Sequence, residues 1–583
     1  MAEAAEEGGA FFGEVEHGAA AVLLRRRADQ VAVGDAVAHH AAGHRRVHQE
    51  VVGKPADRHL RVHLGCLVDD VEDQVALEVL GSYRGVDRRL HGAPPQPREG
   101  RADGIEEGLA LRHGGIRVDH PHSVTHIFAN CRCMQKCMEV QIALVWAPRR
   151  RGLGTSGATS LPGEESDMIT AVINARLFDG ERVLEDTTVV LNGTRIAAVG
   201  GEPPTGAGIV DAKGGTLLPG LFDAHVHTSE EALALALRFG ITTELEMQGM
   251  NTKTSRVHIT ENDSLADVRS AGFGITPPGG HPSELMPEDF KPEGHSEPDD
   301  RGDRPGPYEM PLMPFSTTPE EAVAFVPRLV AAGSDYIKFM VDDGTVEGHP
   351  GLPMLDQETL TAGVAEAHRH GMLTIAHTLT VDATRMAIEA GIDGFAHLFM
   401  DQPHTDDLID LIAASGAFVV PCVVLNASMM GITGTSLTED PRVSSRLNEA
   451  WTNTLNSSYN RYPQGELEDV LASVKALHDV GVDLMVGTDA APLPLPFLGG
   501  VVHGASVHQE LQYLVRAGLT PIQALRAATL TPARRFGLED RGRIAEGLRA
   551  DLLLVDGDPT TTISDTLNLR DVWRRGIRTT LST

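Results

Sequence analysis

The chain has 583 residues, with 50 Lys+Arg against 81 Asp+Glu and a formal net charge of −31. That length exceeds one ordinary domain and implies two or three, and so acidic a surface argues against nucleic acid or anionic lipid as a partner. No run approaches the roughly 18 apolar residues of a membrane span, and the first residues lack the basic and apolar regions of a signal peptide, so a cytoplasmic location is expected.

Residues 1–167 are a different kind of sequence from the rest. They hold 20 Lys+Arg, of which 18 are arginine, 24 Asp+Glu and 12 of the 26 histidines, with no sustained helical or strand period. Cys66, Cys131, Cys133 and Cys137 also lie here, leaving only Cys422, so no disulfide framework holds the main body. The Cys131–Cys137 group lacks a second ligand pair at a usable spacing for zinc. Three readings compete: a partner-binding extension, a disordered tail, or a start placed too far upstream with Met168 as the initiator. The last is favoured, because a regular strand pattern begins at Ile169 and the preceding composition resembles GC-rich sequence translated out of frame. A chain beginning at Met168 is then expected to fold and keep its full metal content; an insoluble or metal-free product would show that residues 1–167 belong to the working protein.

From Met168 short strands appear with clear turn punctuation. Thr188–Leu191, Asn192-Gly193 and Arg195–Val199 read as a hairpin, because Asn-Gly accepts the positive φ of a type I′ turn. Apolar runs at 221–227, 242–247, 273–278, 335–341, 372–378, 394–399, 417–424 and 483–490 then alternate with amphipathic stretches, as parallel strands buried by crossover helices do. Eight such strands are the number that closes a barrel. One helix start is well marked: Thr318 caps, Pro319 suits the first position and Glu321 completes a capping box, while Pro327 predicts a kink or an early end. Asp551–Val555 and Val572–Ile577 supply further strands at the far end.

The residues that carry chemistry fall at the ends of these runs. His225 and His227 stand at i and i+2, so an extended strand presents both imidazoles to one metal. Lys338, His377, His397 and Asp489 each close a short apolar run. His-x-His is a weak signal alone: His120-Pro121-His122 has the same spacing, but its proline cannot donate to a ladder and no apolar strand leads into it. The joint order of a histidine pair, a lysine, two single histidines and an aspartate is what points to a metal site. Lys338 needs a form other than ammonium, which has no lone pair and would be expelled by nearby cations. Its apolar neighbours Ile337 and Phe339 leave it no solvent face to reach.

These motifs resemble the amidohydrolase superfamily, and within it the imidazolonepropionase-like and Xaa-Pro-dipeptidase-like members, over about Met168 to Ile577. The resemblance includes the leading segment Ile173–Gly180 and the closing segment Gly542–Leu554. It implies an α/β architecture: a metal-dependent (β/α)8 TIM barrel over 219–542, beside a small composite β-sandwich built from the flanking segments 168–218 and 543–583, with 1–167 unassigned. It also implies two divalent metal ions, expected to be Zn2+, with His225, His227 and Asp489 on one and His377 and His397 on the other, bridged by Lys338 carboxylated with CO2 to a carbamate. Asp489 would further act as the catalytic base toward a metal-activated hydroxide, and His281 resembles a substrate-binding histidine.

The activity so implied is hydrolysis of a C–N bond other than a peptide bond, in a small amide, cyclic amide or N-acyl amino acid. The expected partner is that small-molecule substrate, and a homo-oligomer is compatible with it. A metallo-dipeptidase or carboxypeptidase is the alternative; a non-catalytic amidohydrolase-like binding protein is disfavoured by retention of all six ligands. Two departures matter for specificity. Xaa-Pro-type relatives carry a tyrosine soon after the fifth-strand histidine, where this chain reads His377-Thr378-Leu379, and Ala396-His397-Leu398 replaces a common Glu-His-Gly. Both changes remove polarity and favour a less polar amide or lactam. Imidazolonepropionase proper lacks the lysine and uses one metal, so that activity fits poorly.

Overall fold

Strand Leu221–Val226 is buried along its whole length, the mark of a parallel strand covered on both faces. It pairs in parallel with Ile241–Glu246, which pairs with Asp267–Ser270. A second parallel sheet runs Ile337–Met340, Thr374–His377, Gly394–Ala396 and Phe418–Val420. These elements belong to a computed structural model that describes residues 169–285 and 313–579, together with the backbone of four strands between residues 31 and 82. Single parallel bridges join Ile275 to Phe339, Val419 to Leu484 and Val226 to Ala490. Residues 483–490, expected as an eighth strand, therefore make isolated bridges in place of a regular ladder.

The expected third strand is displaced. The regular ladder falls at Asp267–Ser270, whereas in 273–278 only Ile275 and Thr276 pair, by single parallel bridges to Phe339 and Phe315. Gly272 and Gly274 and the Pro277-Pro278 pair interrupt a ladder in the later segment, whereas the polar-looking Asp267 is buried among arginines. Arg541 Nη1 and Arg549 Nη1 reach Asp267 Oδ2 at 2.5 and 3.0 Å, and Arg269 reaches Oδ1 at 3.2 Å. Burial pushes this carboxyl up, but Arg541, Arg269 and Arg549 outweigh it and hold it well below the usual range. A folded value below the unfolded one of about 3.9 means that its stabilisation is present above about pH 4 and fades as pH falls through the depressed value. Asp267→Ala is expected to cost about 3–5 kcal/mol at neutral pH, because it strands buried guanidinium groups. Denaturant unfolding checks this, and a loss near 1 kcal/mol, the size of an exposed pair, would contradict it.

Helices occupy the crossovers and begin where polar side chains meet their first amides. Ser229, Thr318, Asp356 and Thr380 accept from the third residue beyond them in this way, each worth about 1 kcal/mol. The Glu321 carboxylate accepts from Thr317 N at 2.6 Å, so the reciprocal half of the expected box is shifted by one residue. Helix Pro319–Ala332 runs through Pro327 and ends at Gly333, with φ 90°. Buried Val326 and Leu329 pin both sides of the proline to the core.

The two ends of this region share one eight-stranded mixed sheet. Leu552–Val555 pairs antiparallel with Thr216–Pro219 and with Leu569–Arg574, and Thr170–Phe178 pairs with Val183–Asn192, Gly208–Asp211 and Thr216–Pro219. Val172, Leu177, Val189, Leu217, Leu552 and Trp573 pack together in a core of its own. The predicted hairpin is present, but Asn192 pairs with Arg195, so Gly193 and Thr194 form the turn and only Gly193 takes positive φ. Glycine at the first central position is the type II′ pattern, not type I′.

Met1–Ser160 and Leu161–Thr583 are separate units. In the first, Val31–Ala41, His44–Gly53, Leu60–Val68 and Val75–Ser82 pair consecutively as an antiparallel meander, where the sequence shows no sustained strand period. A register shift between Val33 and Ala36 breaks the two-residue alternation that such a reading depends on. The Cys131–Cys137 group and His120-Pro121-His122 lie outside the described residues.

Candidate metal centre

Strand ends bring the expected residues together. Gly487 permits the close approach: a Cβ there would stand 2.3 Å from Val420 Cγ1 and 3.1 Å from His225 N. Thr488 then donates its hydroxyl to Asp223 Oδ2 at 2.6 Å, and Asp489 N donates to His225 O at 2.7 Å. His397, Cys422 and Asp489 all adopt positive φ, at 81°, 51° and 62°. Such backbone costs of order 1–3 kcal/mol each and persists where surrounding structure enforces it, commonly at functional sites.

Two imidazoles converge on one carboxylate oxygen. His225 Nε2 and His227 Nε2 lie 3.1 and 2.9 Å from Asp489 Oδ1. His227 Nδ1 lies 2.9 Å from Gln248 O, and since a carbonyl only accepts, Nδ1 carries a proton, which leaves Nε2 as the nitrogen that a metal would take. Two imidazole nitrogens and a carboxylate oxygen converging within about 3 Å are a donor set for a cation, and these residues fit a divalent metal. His397 adds to it: its Nε2 is 3.9 Å from Asp489 Oδ2, and neither ring nitrogen has a hydrogen-bond partner among the described residues. Burial pushes the Asp489 carboxyl up, but the His225 and His227 imidazoles hold it well below the usual range.

Lys338 is 1% exposed, and its Nζ is buried without a hydrogen-bond partner among the described residues. Burial lowers its pKa to about 7, against the opposing pull of Asp489 and Cys422. His377 lies on the far side of His397, with ring centroids 4.7 Å apart. His281, expected as a substrate contact, stacks on His377 at 4.2 Å, and its Nδ1 is 2.6 Å from Glu284 Oε1.

Sequence reasoning missed several neighbours. Cys422 Sγ lies 3.7 Å from His225 Nδ1, and His377 Nε2 is 3.3 Å from Asp342 Oδ2. Glu284 and Glu347 are buried beside His281. Asp342 and Glu347 closely follow the lysine strand, and Cys422 lies within an expected one, so position at a strand end was the signal available.

The family model described as Amidohydrolase family matches residues 216–578. An uncharacterized protein of Mycobacterium tuberculosis (strain ATCC 25618 / H37Rv) is 26% identical over 380 residues, spanning 61% of this chain and 83% of that protein. Among solved structures, a Xaa-Pro dipeptidase with bound methionine in the active site is similar at a TM-score of 0.53 and 22% identity, over 70% of this chain and 99% of that one. Phenylurea hydrolase B is similar at 0.53 and 22%, over 70% and 96%. The fold in common is a TIM barrel with mixed α/β content. Because the family match extends through every strand end that carries these ligands, the chain belongs to the amidohydrolase family of hydrolases acting on C–N bonds.

Proposed function

We propose that this chain is a metal-dependent amidohydrolase that cleaves a non-peptide C–N bond in a small amide, cyclic amide or N-acyl amino acid. The observation that carries the reading is the approach of His225 Nε2 and His227 Nε2 to one oxygen of Asp489, with the His227 tautomer set by Gln248. His225, His227 and Asp489 would hold one divalent ion, and His377, His397 and a carbamate on Lys338 a second, Zn2+ being the expected metal. When bound, such ions lower the proton affinity of water and draw charge from a carbonyl oxygen. Asp489 accepts the proton released as water attacks the carbonyl carbon, then delivers it to the departing nitrogen. The His225 and His227 imidazoles keep its carboxyl ionised.

In this reading the strands of 219–542 close as a barrel and the flanking segments form the composite sandwich. The protein works in the cytoplasm on small molecules. Thr378 and Leu379, where a polar carboxylate contact would stand, are buried, which favours a non-peptide amide over a dipeptide. Metal analysis of the full chain, paired with a hydrolysis screen of N-acyl amino acids, dipeptides, lactams and carbamates, tests it. Chelator-sensitive turnover of a non-peptide amide is expected; turnover of dipeptides alone would replace it with the peptidase reading.

A further inference from the structure

We infer that His281 and Glu347 join His377 as ligands of the second metal ion, adding an imidazole and a carboxylate that the expected ligand set lacks. The inference rests on the metal-dependent reading above and extends its second site. Ligand atoms of His281, Glu347 and His377 lie within 4.8 Å of one another, so small side-chain rotations bring all three to about 2.0–2.2 Å from one ion. Their exposures are 6, 4 and 4%, so bulk solvent barely reaches them.

The hydrogen bonding separates a ligand cluster from an ordinary buried network. His281 Nδ1 is engaged by Glu284 Oε1 at 2.6 Å, which leaves Nε2 as its remaining nitrogen. A carboxylate on the rear nitrogen is the arrangement that orients metal-bound histidines and raises their basicity. Glu347 Oε2 is buried without a hydrogen-bond partner of good geometry among the described residues, and His377 Nε2 faces Asp342 Oδ2 at 3.3 Å. Asp342 Oδ1 is already taken by Gly344 N at 2.6 Å. Leaving such groups unpaired in the interior is costly. Glu284, Asp342 and Glu347 also place three carboxyl groups around one imidazole, His281. A divalent cation answers both the excess negative charge and the unpaired Glu347 Oε2, which a neutral ligand would not.

The test uses the full chain stripped of metal and titrated with Co2+ alone, with bound cobalt counted and its visible spectrum followed. Glu347→Gln and His281→Asn should each weaken the second equivalent by about tenfold or more while the first binds as in the parent. Glu284→Gln, which alters only the rear hydrogen bond, should weaken it by about 10–100-fold. In crystals of the parent protein, the second cobalt anomalous peak should lie within about 2.0–2.3 Å of Glu347 and His281 ligand atoms. This map decides the matter if a variant fails to fold. Unchanged affinity for both equivalents in folded Glu347→Gln and His281→Asn, or a second peak remote from Glu347, overturns the inference and leaves the metal-dependent reading intact. A parent chain that binds no cobalt overturns both.

Discussion

Asp489→Asn is expected to lower turnover by about 10²–10⁴-fold, the usual worth of a positioned general base, while at least one metal equivalent stays bound. Asparagine keeps the shape and one coordinating oxygen but accepts no proton. The large effect follows from the double position of Asp489: its Oδ1 faces His225 and His227, and its Oδ2 faces His397. A purely structural aspartate would show its loss in the melting temperature. Here the parent and variant should melt within a few degrees of each other when metal-loaded, with the difference confined to kcat. Near-normal kcat in the variant would sink the assignment of Asp489 as base.

Lys338→Ala should lose most activity, and a small carboxylic acid should restore part of it by supplying the missing oxygens. An amine whose pKa is lowered to about 7 by burial is largely neutral above that pH. Carbamate formation needs this neutral form: the amine nitrogen attacks CO2, a C–N bond forms and one proton leaves. Metal loading at mildly alkaline pH should therefore be faster with added bicarbonate, and the dependence should vanish in Lys338→Ala. The metal-to-protein ratio and the electron density at the Lys338 tip measure this directly. A single metal with a plain ammonium pointing away would replace the reading with a mononuclear site of His225, His227, Asp489 and one of His377 or His397.

Much of the site is legible in the chain because local period reports which side chains share a face and where a buried strand ends. His225 and His227 follow from i and i+2 spacing alone, and Lys338, His377, His397 and Asp489 from the ends of apolar runs. Most parallel strands after Met168 follow for the same reason; 483–490 makes only isolated bridges, and Asp267–Ser270 is the strand that the pattern misplaces. There the sequence shows a charged segment, and only the folded chain brings up Arg541 and Arg549, 274 and 282 residues away, to make its burial tolerable. The cluster of His281, Glu284, Asp342, Glu347 and His377 was invisible for the same cause. Its members come from separate loops and one strand end, and none carries a period of its own. The near-continuous apolar runs of buried strands are written locally, whereas the burial of charge is decided by partners distant in sequence, which only tertiary structure supplies.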